Sequence, residues 1–260
     1  MKTKKSVFAG SFYPSTKIEI QEMLAGFFHE ADAKKLVSVE GKVKALICPH
    51  AGYIYSGFTA AFGYNAIKSK NYSKVIVLGL SHQTWFQGVA VCDDEIWETP
   101  LGNIPISAEL AKDQAFDLNN EAFAKEHSVE VQLPFLQTVL SNFTLYPLVT
   151  GEVTNHSEIA GSIKKYIDDD TLLVVSSDLS HYHPYKRAQS IDEQTSDEII
   201  SLKGIINHEQ ACGADGVNIL MHLAREFGWK PILLDQRNSG DTAGSKDEVV
   251  GYASICFVKF

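Results

Sequence analysis

Val43-Lys44-Ala45-Leu46-Ile47-Cys48-Pro49-His50, Val75-Ile76-Val77-Leu78-Gly79-Leu80-Ser81-His82 and Leu172-Leu173-Val174-Val175-Ser176-Ser177-Asp178-Leu179-Ser180-His181 share one pattern. In each, a short apolar run rich in β-branched residues breaks into a polar or glycine-bearing loop that carries a histidine. Runs of this kind read as strands buried on both faces, as in a parallel sheet covered by helices. In open α/β sheets, ligands collect outside the carboxyl ends of the strands. Imidazoles delivered there by separate strands can converge, and converging histidines point to a metal or to acid/base chemistry.

Working outward, strand and helix alternate through most of the chain, which predicts an α/β fold with a mostly parallel central sheet flanked by helices. Ser15 is expected to cap a first helix running to about residue 31, with Ile18, Ile20, Met23, Leu24 and Phe27 on its apolar face. Further helices are expected at 56–68, from Ser107, near 128–140, and at 155–167, 189–202 and 215–227. Pro134 should mark a first turn or a kink. Strands are expected at 43–48, 74–80, 143–149, 171–177, 230–235 and 249–258, the last of them antiparallel. The stretch 88–106 reads as short strands forming a hairpin beside the main sheet. No linker-like or low-complexity segment interrupts the chain, so residues 1–260 are expected to form a single domain.

The net charge of −9 disfavours nonspecific nucleic-acid binding, which needs a basic face. No apolar stretch is long enough to span a bilayer, and the basic residues 1–5 are followed only by Ser6-Val7-Phe8-Ala9-Gly10, so neither membrane insertion nor a secretory signal is expected. The four cysteines, Cys48, Cys92, Cys212 and Cys256, are scattered without a CxxC, which fits a reducing cytoplasm. No GxGxxG follows a strand and no GxSxG elbow occurs, which argues against a dinucleotide cofactor and a serine hydrolase of that type.

Taken alone, the loop Cys48-Pro49-His50-Ala51-Gly52-Tyr53 reads as a tight turn with a hydrogen-bonded histidine. Asp178-Leu179-Ser180-His181-Tyr182-His183 is more specific, because a carboxylate and two imidazoles lie within six residues. Cys212, in Cys212-Gly213-Ala214-Asp215-Gly216, precedes an expected helix. It reads either as a small buried hydrophobe or as a thiolate favoured by a helix N-terminus or a metal. Cys48, Cys92 and Cys256 lie in apolar runs and read as core. Glu126-His127-Ser128-Val129-Glu130 reads either as a solvated helix start capped by Ser128 or as a histidine oriented by a carboxylate.

These segments resemble the MEMO family, the proteins labelled protein B of the AmmeMemoRadiSam system. The matching pieces are Phe8-Ala9-Gly10-Ser11-Phe12-Tyr13-Pro14, residues 49–53, residues 78–82, Glu126 to Pro134, residues 176–181, Asn238-Ser239-Gly240-Asp241, and Val250-Gly251-Tyr252-Ala253. They recur in order across almost the whole chain. The resemblance implies the fold of the class III extradiol dioxygenases, in which two histidines and a carboxylate hold Fe(II). In the MEMO family the corresponding site resembles two histidines and a cysteine. Carried over, the ligands are His50, His82 and Cys212, with Asp178 and His181 lining the same pocket and His127 standing behind the ligands. A thiolate in place of the carboxylate softens the site toward Cu(I) or Zn alongside Fe.

Three functions follow as expectations. The first is iron- or copper-dependent redox chemistry, with His181 as acid/base and Asp178 orienting it or accepting protons. The second is a non-catalytic pocket for a small molecule, peptide or protein, walled by Phe12, Tyr13, Tyr53 and Tyr55. The third is a zinc hydrolase built on Asp178, His181 and His183. The system name implies radical-SAM and AMMECR-type proteins as partners.

Overall fold

Along the central apolar runs, successive side chains alternate between two hydrophobic cores. Leu46, Cys48, Val75, Val77, Leu172 and Val174 face one core, whereas Ala45, Ile47, Ile76, Leu78, Leu173 and Val175 face the other. This is the two-residue period of a strand buried on both sides. Even Lys44 is buried, with its ammonium donating to the carbonyls of Asp168 and Asp169 at 2.6 and 3.0 Å.

The computed structural model describes residues 2–34 and 37–260. Its first half contains β1 (Thr3–Lys5), α1 (Lys17–Ala33), β2 (Lys42–Cys48), α2 (Tyr53–Asn65), β3 (Lys74–Leu80), β4 (Val89–Val91), β5 (Ile96–Thr99), β6 (Gly102–Pro105), β7 (Asp117–Leu118) and α3 (Glu121–Ala124). Then follow α4 (Leu133–Val139), β8 (Thr144–Thr150), α5 (His156–Lys164), β9 (Thr171–Ser176), β10 (His181–His183), α6 (Tyr185–Ile200), α7 (Ala214–Phe227), β11 (Lys230–Asn238) and β12 (Val249–Lys259). The nine-stranded sheet runs β10-β12-β2-β9-β3-β8-β4-β7, with β11 also paired to β12. Its centre, β2-β9-β3-β8, is parallel, while β12 on one side and β4 on the other join antiparallel. α1, α2 and α4 cover one face and α5 and α7 the other. This is a mixed α/β fold with a central sheet flanked by helices. No helix among the described residues is long and apolar enough to cross a membrane.

Several boundaries differ from the expected ones. Thr16, not Ser15, caps α1, accepting from the Glu19 N–H at 3.3 Å. The helix expected from Ser107 is only a 3-10 turn at Leu110–Lys112. Leu110 is its one buried residue, and Ser107 and Asp113 accept from the N–H groups of Glu109 and Ala115, bonds that favour turns over helix. Pro134 lies in the first turn of α4, where its missing N–H costs nothing. The expected hairpin is β5–β6, but with β1 it makes a separate three-stranded sheet. β2, β9 and β3 are adjacent and parallel, so their carboxyl ends release His50, Asp178 and His82 at one edge of the sheet.

Candidate metal centre

Beyond β3, a close approach locks a further loop to the site. The Ser128 hydroxyl donates to the Leu80 carbonyl at 2.9 Å and accepts from the Leu80 N–H at 3.1 Å. A Cβ on Gly79 would lie 2.3 Å from Ser128 Oγ, so only glycine allows this contact. The lock sets His127 against His82, with ring centroids 4.4 Å apart and planes 26° apart. On its other flank His127 meets Phe12 at 4.5 Å and Phe8 at 5.5 Å. His50 stands nearly perpendicular to both histidines, 5.3 Å from each. One ligand atom from each of His50, His82 and His127 lies within 4.8 Å of the others, so the three imidazoles can hold a metal ion.

The chemistry of the surroundings favours bare nitrogens. Glu126 is buried and accepts from the His82 N–H at 2.7 Å and the Ser128 N–H at 2.7 Å, and it holds His82 Nδ1 at 2.9 Å. Burial by itself would raise the Glu126 carboxyl, but the hydrogen bonds and charge of His82, together with the Ser128 N–H, outweigh it and hold the group down, to about 2. An ionised Glu126 can only accept, so His82 Nδ1 carries the proton between them and, in the neutral ring, Nε2 is the bare nitrogen, the carboxylate–histidine pairing common behind metal ligands. Burial, followed by the charge of His82, pushes His50 down to about 3. Burial, followed by His50, pushes His127 down to about 4. His181 Nδ1 donates to the Leu179 carbonyl at 2.8 Å, so in the neutral ring Nε2 is the bare nitrogen.

Cys212 lies just before α7, half-buried, with Sγ 3.3 Å from His50 Nε2 and accepting from the Asp178 N–H at 3.3 Å. Gly213 permits this approach, since a Cβ there would sit 2.7 Å from Ser177 Cβ and 2.8 Å from the Ser176 carbonyl oxygen. Burial, then the nearby Asp178 carboxylate, pushes the thiol up. Asp178 is itself buried, which raises its carboxyl despite His181, and its Oδ1 accepts from the His50 N–H at 2.7 Å. It therefore fastens the His50 loop to the end of β9.

His50, His82, Cys212, Asp178, His181, His127, Phe12 and Tyr55 all border one open cleft of about 1420 Å³. Two placements need correction. Tyr13 and Tyr53 do not wall the cleft. Both are buried in the core, where their hydroxyls donate to Glu130 at 2.8 Å and to the Val131 carbonyl at 2.7 Å. His127, expected behind the ligands, stands beside them, because its ring shares the Glu126 carboxylate with His82. Among residues not singled out from the sequence, Ser176, Gln132 and Tyr64 connect to His50. Their signal was faint: polar side chains inside otherwise apolar stretches. Tyr252, quoted only for the family resemblance, also lines the cleft.

These depressed histidines set an acid dependence in the metal-free protein. Below the ordinary histidine value of 6.5, the unfolded chain takes protons at His50 and His127 that the folded chain refuses until about 3 and about 4. Glu126 acts in the same direction between 4.5 and about 2, because its folded carboxylate stays ionised while the unfolded one protonates. The raised carboxyls of Asp178 and Asp192 work the other way, but the two histidines together outweigh them, so stability is expected to fall as pH drops from about 6.5 toward 4. Urea denaturation across that range checks it, and an unchanged midpoint would contradict these surroundings.

An α/β sheet whose parallel strands deliver imidazoles to one cleft defines a protein with a histidine cluster able to hold a metal. The Memo-like protein family matches residues 4–256, and the chain belongs to that family. It is 34% identical over 267 residues to a MEMO1 family protein of Thermoplasma volcanium, covering 97% of each chain. It is 35% identical over 282 residues to a MEMO1 family protein of Pyrobaculum arsenaticum, covering 99% of each. Among solved structures, an uncharacterized protein of Escherichia coli K12 matches with a TM-score of 0.56 at 17% identity, over 83% of this chain and 99% of that one. That likeness concerns the fold.

Proposed function

We propose that the protein is a metal-dependent redox protein that takes iron or copper on His50 and His82, with Cys212 as a third donor and His127 alongside. The observation that carries this reading is the meeting of His50 Nε2 with Cys212 Sγ at 3.3 Å beside the histidine cluster. Imidazoles with a thiolate form a mixed, partly soft donor set that suits copper, iron or zinc better than magnesium or calcium. When bound, iron or copper supplies one-electron chemistry at positions left open by the protein. His181, with Nε2 free toward the cleft, takes or gives a proton, and Asp178 holds the His50 loop rather than reacting.

A second reading draws on the cleft itself. At about 1420 Å³ it is larger than the roughly 300–1,000 Å³ usual for small-molecule sites, and Tyr182 and Ile205 line it with exposures of 70% and 73%. This favours a non-catalytic pocket for an extended, peptide-like ligand. The hydrolase reading is weaker, because the Asp178 oxygen nearest His50 is committed to backbone N–H groups.

Metal analysis of protein purified without oxygen or chelator separates these readings. Iron or copper near stoichiometry is expected. Cys212→Ser should weaken binding and shift preference away from copper, whereas His181→Ala should keep the metal and lose turnover. Full metal retention by both His50→Ala and His82→Ala would overturn the proposed site.

A further inference from the structure

Behind His50, two backbone carbonyls decide where a chain of protons must lie. The Ser176 hydroxyl is 2.6 Å from the Ser128 carbonyl oxygen, which can only accept, so the serine proton is committed there. The Pro49 carbonyl lies 3.0 Å from the Gln132 amide nitrogen, which fixes the orientation of that amide. The same nitrogen is 2.7 Å from Ser176 Oγ and so donates to it. The amide oxygen in turn accepts from the Tyr64 hydroxyl at 2.8 Å. Ser176 Oγ has one donor and two lone pairs. Its donor and one lone pair are used, which leaves a single acceptor position for His50 Nδ1 at 3.0 Å. Ser176, Gln132 and Tyr64 are all buried, so water does not offer an alternative partner.

We propose that Ser176, directed by Gln132 and Tyr64, is a positioning residue that holds His50 as the Nδ1–H tautomer, with Nε2 bare toward the cleft before any metal arrives. The same hydroxyl ties two loops together. It receives from His50, which follows β2, and donates to Ser128, the neighbour of His127. One serine at the end of β9 thus sets both the proton on His50 and the spacing of the His50 and His127 loops. The tautomer stands independently of the metal reading, and only the affinity arm of the test rests on it.

The test uses the metal-free full chain labelled with 15N-histidine, in which long-range proton–nitrogen correlation distinguishes the protonated from the bare ring nitrogen. His50 is expected to show a protonated Nδ1 and a bare Nε2 in the wild type. In Ser176→Ala the signals should move toward the other tautomer or a mixture, while those of His82 and His181 stay put. Zn(II) titration should then show affinity about 10–100-fold lower, the usual loss when the partner of a metal-ligating histidine is removed. A wild-type His50 protonated on Nε2 overturns the proposal, and so does an unshifted tautomer in Ser176→Ala. If that variant does not fold, the wild-type spectrum still decides, because the Ser128 carbonyl holds the serine proton and a His50 with a bare Nδ1 would overturn the proposal. A correct tautomer with no metal binding would leave this inference standing and sink the metal reading alone.

Discussion

Replacing His50 by Ala is expected to abolish stoichiometric metal binding while leaving the fold intact. His50 is 2% exposed and meets Cys212 Sγ through Nε2, Ser176 through Nδ1 and Asp178 through its backbone N–H. The substitution removes the first two contacts but keeps the third, so the loop should remain seated on the end of β9. Loss of a side-chain partner inside the core should cost about 1–3 kcal/mol. That lowers stability without exceeding the roughly 5–15 kcal/mol usual for a folded domain, so circular dichroism should be unchanged. Metal content measured beside the wild type checks the effect, and retained binding would move the site away from His50.

The second large effect is expected from a residue outside the cleft. Glu130 is 2% exposed and accepts from the N–H groups of Val7 at 3.0 Å and Phe8 at 2.8 Å and from the Tyr13 hydroxyl at 2.8 Å. Lys4 adds an ion pair at 3.5 Å. Glu130→Ala leaves these donors without their acceptor, and removing one side of a buried charged network costs about 3–5 kcal/mol. The N-terminal segment should then detach, which makes the stretch before Pro14 sensitive to protease. Phe8 and Phe12, which rest on His127, would leave with it. Chemical denaturation and limited proteolysis read the two consequences separately. A variant as stable and as resistant as the wild type would show that Glu130 does not anchor this segment.

The central strands are legible in the sequence because each must be apolar on both faces, and an unbroken run such as residues 172–175 has few other uses. The loops that follow are legible for the same reason, since a histidine after such a run lands at the carboxyl edge. The parallel centre follows from this pattern, and the last strand, β12, is antiparallel as expected, but the antiparallel β4 depends on a pairing between distant segments that no local signal encodes. Helix starts shift by a few residues because capping is chosen by geometry. Thr16 and the neighbouring Ser15 have similar chemistry, yet only one faces the free N–H of Glu19.

The site divides in the same way. His50, His82, His181 and Asp178 are reached by strand logic, and Cys212 only by resemblance together with its place before α7. His127 is misjudged because its position depends on the Gly79–Ser128 contact, a tertiary approach with no periodicity to reveal it. Tyr13 and Tyr53 mislead for a complementary reason. An aromatic beside a glycine-rich loop can line a cleft or support it from beneath, and the hydroxyl partners that decide the matter lie far along the chain at residues 130 and 131.

X-ray absorption at the metal edge, on protein loaded anaerobically with iron or with copper, tests the central claim most directly. Imidazole scattering together with a sulfur neighbour is expected, with the sulfur lost in Cys212→Ser and the imidazole signal reduced in His82→Ala. A spectrum of oxygen donors alone, or one unchanged in both variants, would contradict a metal centre built on His50, His82 and Cys212.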